Sequence, residues 1–481
     1  MPARAASAVC LALLAACGGE TVSAPTSPAG PTTPVAVVAS VTVTPPSPAM
    51  IPGQRVQLIT TLKDSTGQVL AARPVTWASA DTAVATVTTA GLVTAVAAGK
   101  TAISATLDAR VGTAAVIVTD PTTFVNATSV HGGYAHTCAL VKSGAAYCWG
   151  DNNFGQVGNG TTVGSAVPLG VGGGISYTAI GAASGETCGL ATSGKLYCWG
   201  LTSAADEFGQ GPTTSSASPV LFSSQLTFAS LTDGSLHMCA LTATGAAYCW
   251  GDNEYGVFGD SGYVGSVAPR PSGLGLTFTS LSAGSFDTCG LTAGHAAYCW
   301  GNNYTMELGD GSSTERLTPT AVSGGLAFAM VRAGIQYTCG LTTSGAAYCW
   351  GNFGTNAYTA NGVAGSATPA ALPGGLTFTA LDVSRGSGAD THACALVASG
   401  AAWCWGSNRK GQLGNGTTVN SAAPVPVSGG LTFTALTTGS AHTCGLTAGG
   451  ALYCWGDNNL GQLGNGLPDN STAPVRVIGP P

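Results

Sequence analysis

Charge is what this sequence has least of. Of 481 residues, 15 are Lys or Arg and 21 are Asp or Glu, 7% in all, for a formal net charge of −6. Soluble domains commonly carry roughly 25%. Without clustered Lys and Arg there is no electrostatic footprint for a phosphate backbone, which argues against nucleic acid as a partner. Beyond the N-terminus no apolar run is long enough to span a bilayer. Catalytic signatures are missing as well: there is no Gly-x-Ser-x-Gly and no His-Glu-x-x-His. Loops such as Gly150-Asp151-Asn152-Asn153-Phe154-Gly155 have no Lys-Ser/Thr ending and open no helix, so they lack the phosphate-cradling mechanism. Their Asp and Asn are not arrayed at calcium-loop spacing, and side chains closing turns on their own backbone explain them better. The reading therefore contains no metal and no cofactor. What is abundant is Gly, 71 residues, against a usual ~7%. Hydrophobic residues make up 45%, ample for a core. The length implies two or more units. A surface built from Ser, Thr, Asn and Gly suits the outside of a cell.

The first residues give an address. Arg4 precedes a run of small and apolar residues over 5–16, too short for a stable membrane helix and typical of a signal peptide. It ends in Leu14-Ala15-Ala16-Cys17, which resembles the lipobox of bacterial lipoproteins. The resemblance implies cleavage after residue 16 and lipidation of Cys17, so that the chain is anchored rather than spanning. Gly18 follows, not the Asp that retains such proteins at the inner membrane, which favours the outer membrane. The other reading is an ordinary cleaved signal with an incidental Cys. Residues 17–38 are rich in Pro, Thr and Ser and form a flexible tether.

Residues 39–119 alternate apolar and polar side chains, as in Val41-Thr42-Val43-Thr44 and Val84-Ala85-Thr86-Val87, with turns at Pro52-Gly53 and Gly91. Short strands at this spacing predict a small β-sandwich. Val75-Thr76-Trp77-Ala78-Ser79, Gly91-Leu92-Val93-Thr94 and Ala102-Ile103-Ser104-Ala105 resemble the bacterial immunoglobulin-like domain of group 2. Such domains are spacers or adhesive modules. There is no Cys here, so Trp77 packs without a disulfide.

Residues 120–481 are one repeat, shown by seven Cys pairs: Cys138 with Cys148, Cys188 with Cys198, Cys239 with Cys249, Cys289 with Cys299, Cys339 with Cys349, Cys394 with Cys404, and Cys444 with Cys454. The members are ten apart, and successive pairs start 50, 51, 50, 50, 55 and 50 residues apart. Each unit holds four β segments, the last containing a Pro that suits an edge. Seven four-stranded units predict a β-propeller. The fold class is thus all-β, a seven-bladed propeller behind an immunoglobulin-like sandwich.

The motifs Gly439-Ser440-Ala441-His442-Thr443-Cys444-Gly445-Leu446, Trp455-Gly456-Asp457-Asn458 and Gly461-Gln462-Leu463-Gly464-Asn465-Gly466 resemble the repeat of the regulator of chromosome condensation family. The resemblance implies a closed seven-bladed ring. Unit five departs from it at Asn352-Phe353-Gly354-Thr355-Asn356, unit two at Leu201-Thr202-Ser203, and in unit one Ala127 stands where the first segment elsewhere has an aromatic.

The Cys spacing has a geometric reading. If Cys138 faces Cys148, Lys142-Ser143-Gly144 is a three-residue hairpin loop whose third position wants a left-handed residue. That slot holds Gly144, Gly194, Gly245, His295, Gly345, Gly400 and Gly450. The register puts each pair at a non-hydrogen-bonded position, close enough to bridge. Zinc needs four converging ligands and each hairpin offers two. Of 16 Cys, Cys10 leaves with the signal and Cys17 is lipidated, so fourteen remain for seven disulfides. Trp149, Trp199, Trp250, Trp300, Trp350, Trp405 and Trp455 share one slot, with Tyr147, Tyr197, Tyr248, Tyr298, Tyr348, Trp403 and Tyr453 two before it. Both sets read as core.

The candidate partner-binding face is the ring of residues two before each first Cys: His136, Glu186, His237, Asp287, Tyr337, His392 and His442. Four of the six His occupy this slot. In the exchange factor that the repeat resembles, the corresponding positions lie on the face that engages its GTPase. Unit six adds a five-residue insertion with Arg385 and Asp390 just before His392, where specificity is expected. A polar side chain here also suits a hydrogen bond to the neighbouring blade. The expected function is a non-enzymatic, lipid-anchored envelope protein that binds a protein or glycan. The alternatives are a structural scaffold, exchange-type activity by family analogy, and a propeller lyase or hydrolase.

Overall fold

The computed structural model describes residues 37–119, 124–201, 215–223, 226–352, 365–386 and 390–479. The signal peptide, Cys17, nearly all of the tether, Thr202-Ser203 and the departure after Asn352 in unit five lie outside them. The described chain is all β.

The N-terminal unit is a sandwich of short sheets. Arg110–Val118 and Gly99–Leu107 form its longest hairpin, extended by Thr76–Ser79 on one side and Ala49–Met50 on the other. Arg55–Gln57, Leu92–Ala95 and Ala85–Val87 make a second sheet. Alternation places Val41, Val43, Leu62, Val93, Ile103 and Val116 inward, and half-buried Trp77 packs on that core. Gln54 Nε2 donates to Gly466 O of the propeller at 2.9 Å.

Seven four-stranded antiparallel sheets follow, each built from four consecutive strands. The blades span 127–170, 177–223, 230–277, 280–321, 328–371, 380–426 and 435–476. First strands touch one another around the axis, and that of blade 1 touches that of blade 7, so the ring is closed. Fourth strands are the outer edge, where Pro168 or Pro474 forfeits no ladder bond. Blades 1 and 7 share no strand. They close through Ala127 N to Gly450 O (3.1 Å) and Gly132 N to Thr437 Oγ1 (2.9 Å), and through packing.

Packing follows from the two-residue period. One face of each second and third strand carries His, Cys and Leu, the other Thr, Tyr and Trp. The Cys/Leu face of one blade meets the Trp face of the next: Cys138, Leu140 and Cys148 pack on Tyr177 and Trp199. Across the closure, Cys444, Leu446 and Cys454 pack on Phe124 and Trp149. All seven slot tryptophans are at most 2% exposed. Burying an indole of roughly 200 Å² at about 25 cal/mol per Å² contributes on the order of 5 kcal/mol against an extended chain, an upper bound. Trp149, Trp199, Trp300, Trp350 and Trp455 rest on the loop of the preceding blade. A Cβ on Gly464, at φ +64°, would stand 2.6 Å from Trp149 Nε1, so only Gly fits there. Blade 1 also finds its aromatic: Phe124, not the slot residue Ala127, packs on Trp149 at 6.1 Å between centroids, as Phe433 does on Trp455 at 5.8 Å.

Every expected Cys pair is a disulfide linking directly opposed residues of the second and third strands. In chain order Cys138 bonds Cys148, Cys188 bonds Cys198 and Cys239 bonds Cys249. Cys289 bonds Cys299, Cys339 bonds Cys349, Cys394 bonds Cys404 and Cys444 bonds Cys454. Their Cα atoms are 4.0–4.1 Å apart, the close approach of a non-hydrogen-bonded pair. None of these fourteen sulfurs is left as a thiol for metal or catalysis. The loop slot is left-handed throughout, from φ +76° at Gly194 to +82° at Gly345, and +63° at His295. The Asn of the loop after the third strand staples that loop to itself. Asn152 donates to Thr161 O and Val163 O and accepts from Val157 N. Asn253, Asn303, Asn408 and Asn458 repeat the pattern.

Candidate binding face

His136 pairs with Gly150, so the loop before the second strand and the loop after the third leave the same end of every blade. The ring of slot residues lies at this end, yet it is not presented to solvent. His136, His237, Asp287, Tyr337, His392 and His442 are each at most 2% exposed. This corrects their reading as direct partner contacts: the next blade covers the start of the strand, and their polar atoms are spent across that seam.

The seam has a repeated chemistry. His136 Nε2 meets Thr187 Oγ1 of the next blade at 2.9 Å. His237 meets Thr288, His392 meets Thr443, and His442 meets Thr137 across the closure, at 2.8–2.9 Å. The hydroxyl of Thr137 donates to Gln462 O, which also accepts from Trp149 Nε1, both at 2.9 Å. Thr187 and Trp199 share Gln156 O in the same way. Because the Thr hydrogen is committed to that carbonyl, the imidazole Nε2 must be the donor. Nδ1 of His136, His237 and His442 then carries no hydrogen and has no partner. Protonation would bury a charge, so burial holds His136 and His392 at about 4 and His237 and His442 at about 3.

The slot and its partner vary together. Tyr337 faces a blade whose Thr position holds Ala393, and its longer side chain reaches His392 O. Asp287 faces Thr338, whose hydroxyl goes to Glu307 O at 2.9 Å. Burial raises Asp287 well above its ordinary range, and the nearby Glu307 adds to that shift while Thr338 opposes it. Glu186 faces Met238, which has no hydroxyl. Among the described residues its one heteroatom contact is Cys188 Sγ at 3.5 Å, a disulfide sulfur without a hydrogen. Glu186, Cys188 and Cys198 cluster, but bridged sulfurs offer no thiolate to a metal. The Thr partners were legible in the sequence as the residue directly after the slot, shifted by one unit.

Arg385 and Asp390 also part company. Asp390 O lies 3.3 Å from His392 Nδ1. Arg385 instead turns inward across the mouth of the axial channel. Its Nε donates to Ala283 O at 3.0 Å, and NH1 lies 3.4 Å from Asp233 and NH2 3.9 Å from Asp382. Its own carbonyl accepts from Ser235 Oγ and Ser285 Oγ, at 2.9 and 3.0 Å. The insertion of blade 6 is thus a plug tied to blades 3 and 4, with Arg332, 3.6 Å from Asp382, and His131 in the polar chamber behind it. Burial pushes Asp233 up against the opposing pull of Arg385. Sequence reasoning missed Asp233 and Asp382, because nothing in a linear pattern says which way a loop turns.

A model of the bacterial immunoglobulin-like domain (group 2) matches residues 37–118. Two models of the regulator of chromosome condensation (RCC1) repeat match, one at 127–156, 232–257 and 433–462, the other at 143–191, 399–446 and 449–481. The chain carries RCC1 repeats behind a group 2 immunoglobulin-like domain. The structure of this RCC1-repeat protein is similar to that of Prp20p from Saccharomyces cerevisiae, with 19% identity and a TM-score of 0.57 over 65% of this chain and 80% of that one. It is also similar to human WBSCR16, with 20% identity and a TM-score of 0.61 over 70% and 94%. At these identities the likeness concerns the fold. Prp20p is described by its binding to Gsp1p and histones. No curated protein matches the chain.

The buried histidines make stability depend on pH. Below about 6.5 an unfolded chain takes up protons that the folded seams refuse, so their contribution is full above that value and is lost as pH falls toward 4. Each pKa unit is worth about 1.4 kcal/mol. Glu186, held at about 8 by burial, acts oppositely, losing stability as pH rises from 4.5 to 8. Replacing His136 and His442 by Gln, which bonds without titrating, should flatten the acid limb between pH 4 and 6.5. Denaturant midpoints measured across that range check it, and curves parallel to wild type contradict it.

Proposed function

We propose that this protein is a lipid-anchored envelope module that holds a protein partner on the propeller face where the second strands begin. The observation that carries the reading is the contrast between the two ends of the disc. The opposite end carries hairpin tips with small or hydroxylated residues, among them Ser143, Ser193, Thr244, Ser344 and Ser399, and exposes Val125 and Leu274 but, among the described residues, no large aromatic ring. The proposed face exposes Tyr134 at 45%, Phe154 at 44%, Tyr304 at 68% and Leu460 at 48%. Rigid aromatic and aliphatic side chains held in the open by stapled loops are what a partner desolvates. The Leu14-Ala15-Ala16-Cys17 run supports the anchor, the tether and immunoglobulin-like domain supply reach, and the protein binding of Prp20p is consistent with the role. Six of the seven ring residues, all but Glu186, are buried in the seams, which favours binding over catalysis.

Two variants test this. One changes Tyr134, Phe154, Tyr304 and Leu460 to Ser; the other places Arg at hairpin tips Ser143, Ser344 and Ser399. Immobilised wild type and the tip variant should capture the same discrete species from native envelope extract, and the face variant should lose it. Capture lost only in the tip variant overturns the assignment.

A further inference from the structure

Among the described residues, one seam of the ring holds a cleft. Between blades 2 and 3 lies a cleft of about 170 Å³, room for one long side chain rather than a folded element. Its walls include Phe154, Leu201, Phe222 and Trp250, and its polar lining includes Glu186 and Asp252. Phe222 and Trp250 stack at 5.3 Å, and Phe154 stands at the rim on the face described above. Blade 3 breaks the seam rule here: Met238 stands where Thr would bond the slot residue, and the Glu186 carboxyl lines the cleft without a donor among the described residues. Asp252 accepts from Glu254 N at 2.8 Å. Among the described residues no Lys or Arg lines the cleft; Arg270, on the fourth strand of blade 3, is engaged by Asp260.

Resting on the reading of this face as a protein-binding surface, we infer that the blade 2/blade 3 cleft receives one cationic side chain, a lysine or arginine, of the protein partner. The chemistry fits at both ends. Aromatic faces attract a cation and its alkyl stem, and an acceptor-only carboxylate supplies the charge-assisted hydrogen bond at the bottom. An apolar side chain would leave Glu186 buried and unpaired, which sets the specificity. A docked cation stabilises ionised Glu186, so binding releases a proton and tightens as pH rises. Burial raises both Glu186 and Asp252, and Glu254 beside Asp252 adds to that shift; among the described residues Glu186 and Asp252 are the titratable groups lining the cleft.

The test uses the intact chain and three probes: acetyl-Gly-Lys-Gly-amide, the same peptide with norleucine for Lys, and n-butylamine. By titration calorimetry the lysine peptide should bind at least about tenfold more tightly than the norleucine peptide, and more tightly at pH 8.5 than at pH 6.5. Glu186→Gln, a neutral isostere of the protonated acid, should keep the melting temperature and erase that preference. Phe154→Ala should weaken both peptides. Equal affinity for the two peptides, a preference that survives Glu186→Gln, or butylamine binding as tightly as the lysine peptide each overturns the inference. Partner capture that survives Glu186→Gln but not the four-residue face variant would sink the cleft while leaving the binding face intact.

Discussion

Complete reduction should unfold the propeller. Each disulfide closes a loop of about ten residues, for which chain entropy gives up to about 2.7 kcal/mol. Seven such contributions exceed the 5–15 kcal/mol or so of net stability that domains usually have. The bridged sulfurs are buried, at 0–4% exposure. Reductant alone should therefore act slowly on the native protein, and reductant with denaturant should act fast. Intact mass should then rise by fourteen hydrogens, and the reduced chain, returned to buffer, should lack the near-ultraviolet dichroism of its packed tryptophans. A reduced chain that regains a cooperative melt within a few degrees of the oxidised one would show that blade packing suffices. Because the bridges are independent hairpin staples, single Cys-pair replacements by Ala should each cost at most about the single-loop value and add between distant blades. Replacing Cys239 together with Cys249, or Cys394 together with Cys404, tests this on two bridges that lie in separate core clusters.

Arg385→Ala should be the costliest single substitution in the channel. The guanidinium is largely buried and is held between Asp233 and Asp382, while its backbone carbonyl ties two Ser hydroxyls. Removing one member of a buried ion pair strands the others, typically at about 3–5 kcal/mol. Asp233 and Asp382 would then share a chamber with only Arg332 and His131 for compensation. Adding Asp233→Asn to Arg385→Ala should recover part of the loss, since it removes an uncompensated carboxylate. Denaturant midpoints for the single and double variants decide it. A single variant within about 0.5 kcal/mol of wild type, the range of ordinary surface substitutions, would mean that the plug is solvated rather than structural. Because blade 6 supplies the plug through an insertion found in no other blade, the effect should be absent from substitutions at the equivalent loop of blade 7.

Much of the architecture was legible because a propeller writes its geometry once per blade. The Cys period gave the blade count, and the left-handed slot from Gly144 to Gly450 gave the hairpin register and hence the bridges. The single His in that slot, His295, adopts the same conformation as the glycines. The candidate face was misread for a physical reason. Polar residues at strand starts ordinarily meet water, but here both faces of every blade are covered by neighbours, and His136 or His442 reaches a Thr fifty or more residues away in sequence. Nothing within one unit shows that pairing. It emerges only when the slot of one unit is compared with the following position in the next, where His answers Thr, Tyr337 answers Ala393, and Glu186 answers Met238. Phe124 illustrates the same limit. The aromatic for blade 1 comes from three residues before its slot, a displacement that strict periodicity hides. The direction of Arg385 was beyond any pattern, because an insertion has no counterpart in other repeats to fix its course.

The most direct test of the binding face is site-specific photocrosslinking in native envelopes. A photoreactive amino acid placed singly at positions 154 and 304, on the aromatic face, should yield one discrete adduct common to both sites. The same residue at 344 and 399, on the opposite hairpin tips, should yield none. Adducts confined to 344 and 399, with nothing at 154 or 304, would place the partner on the other face and contradict the proposed role.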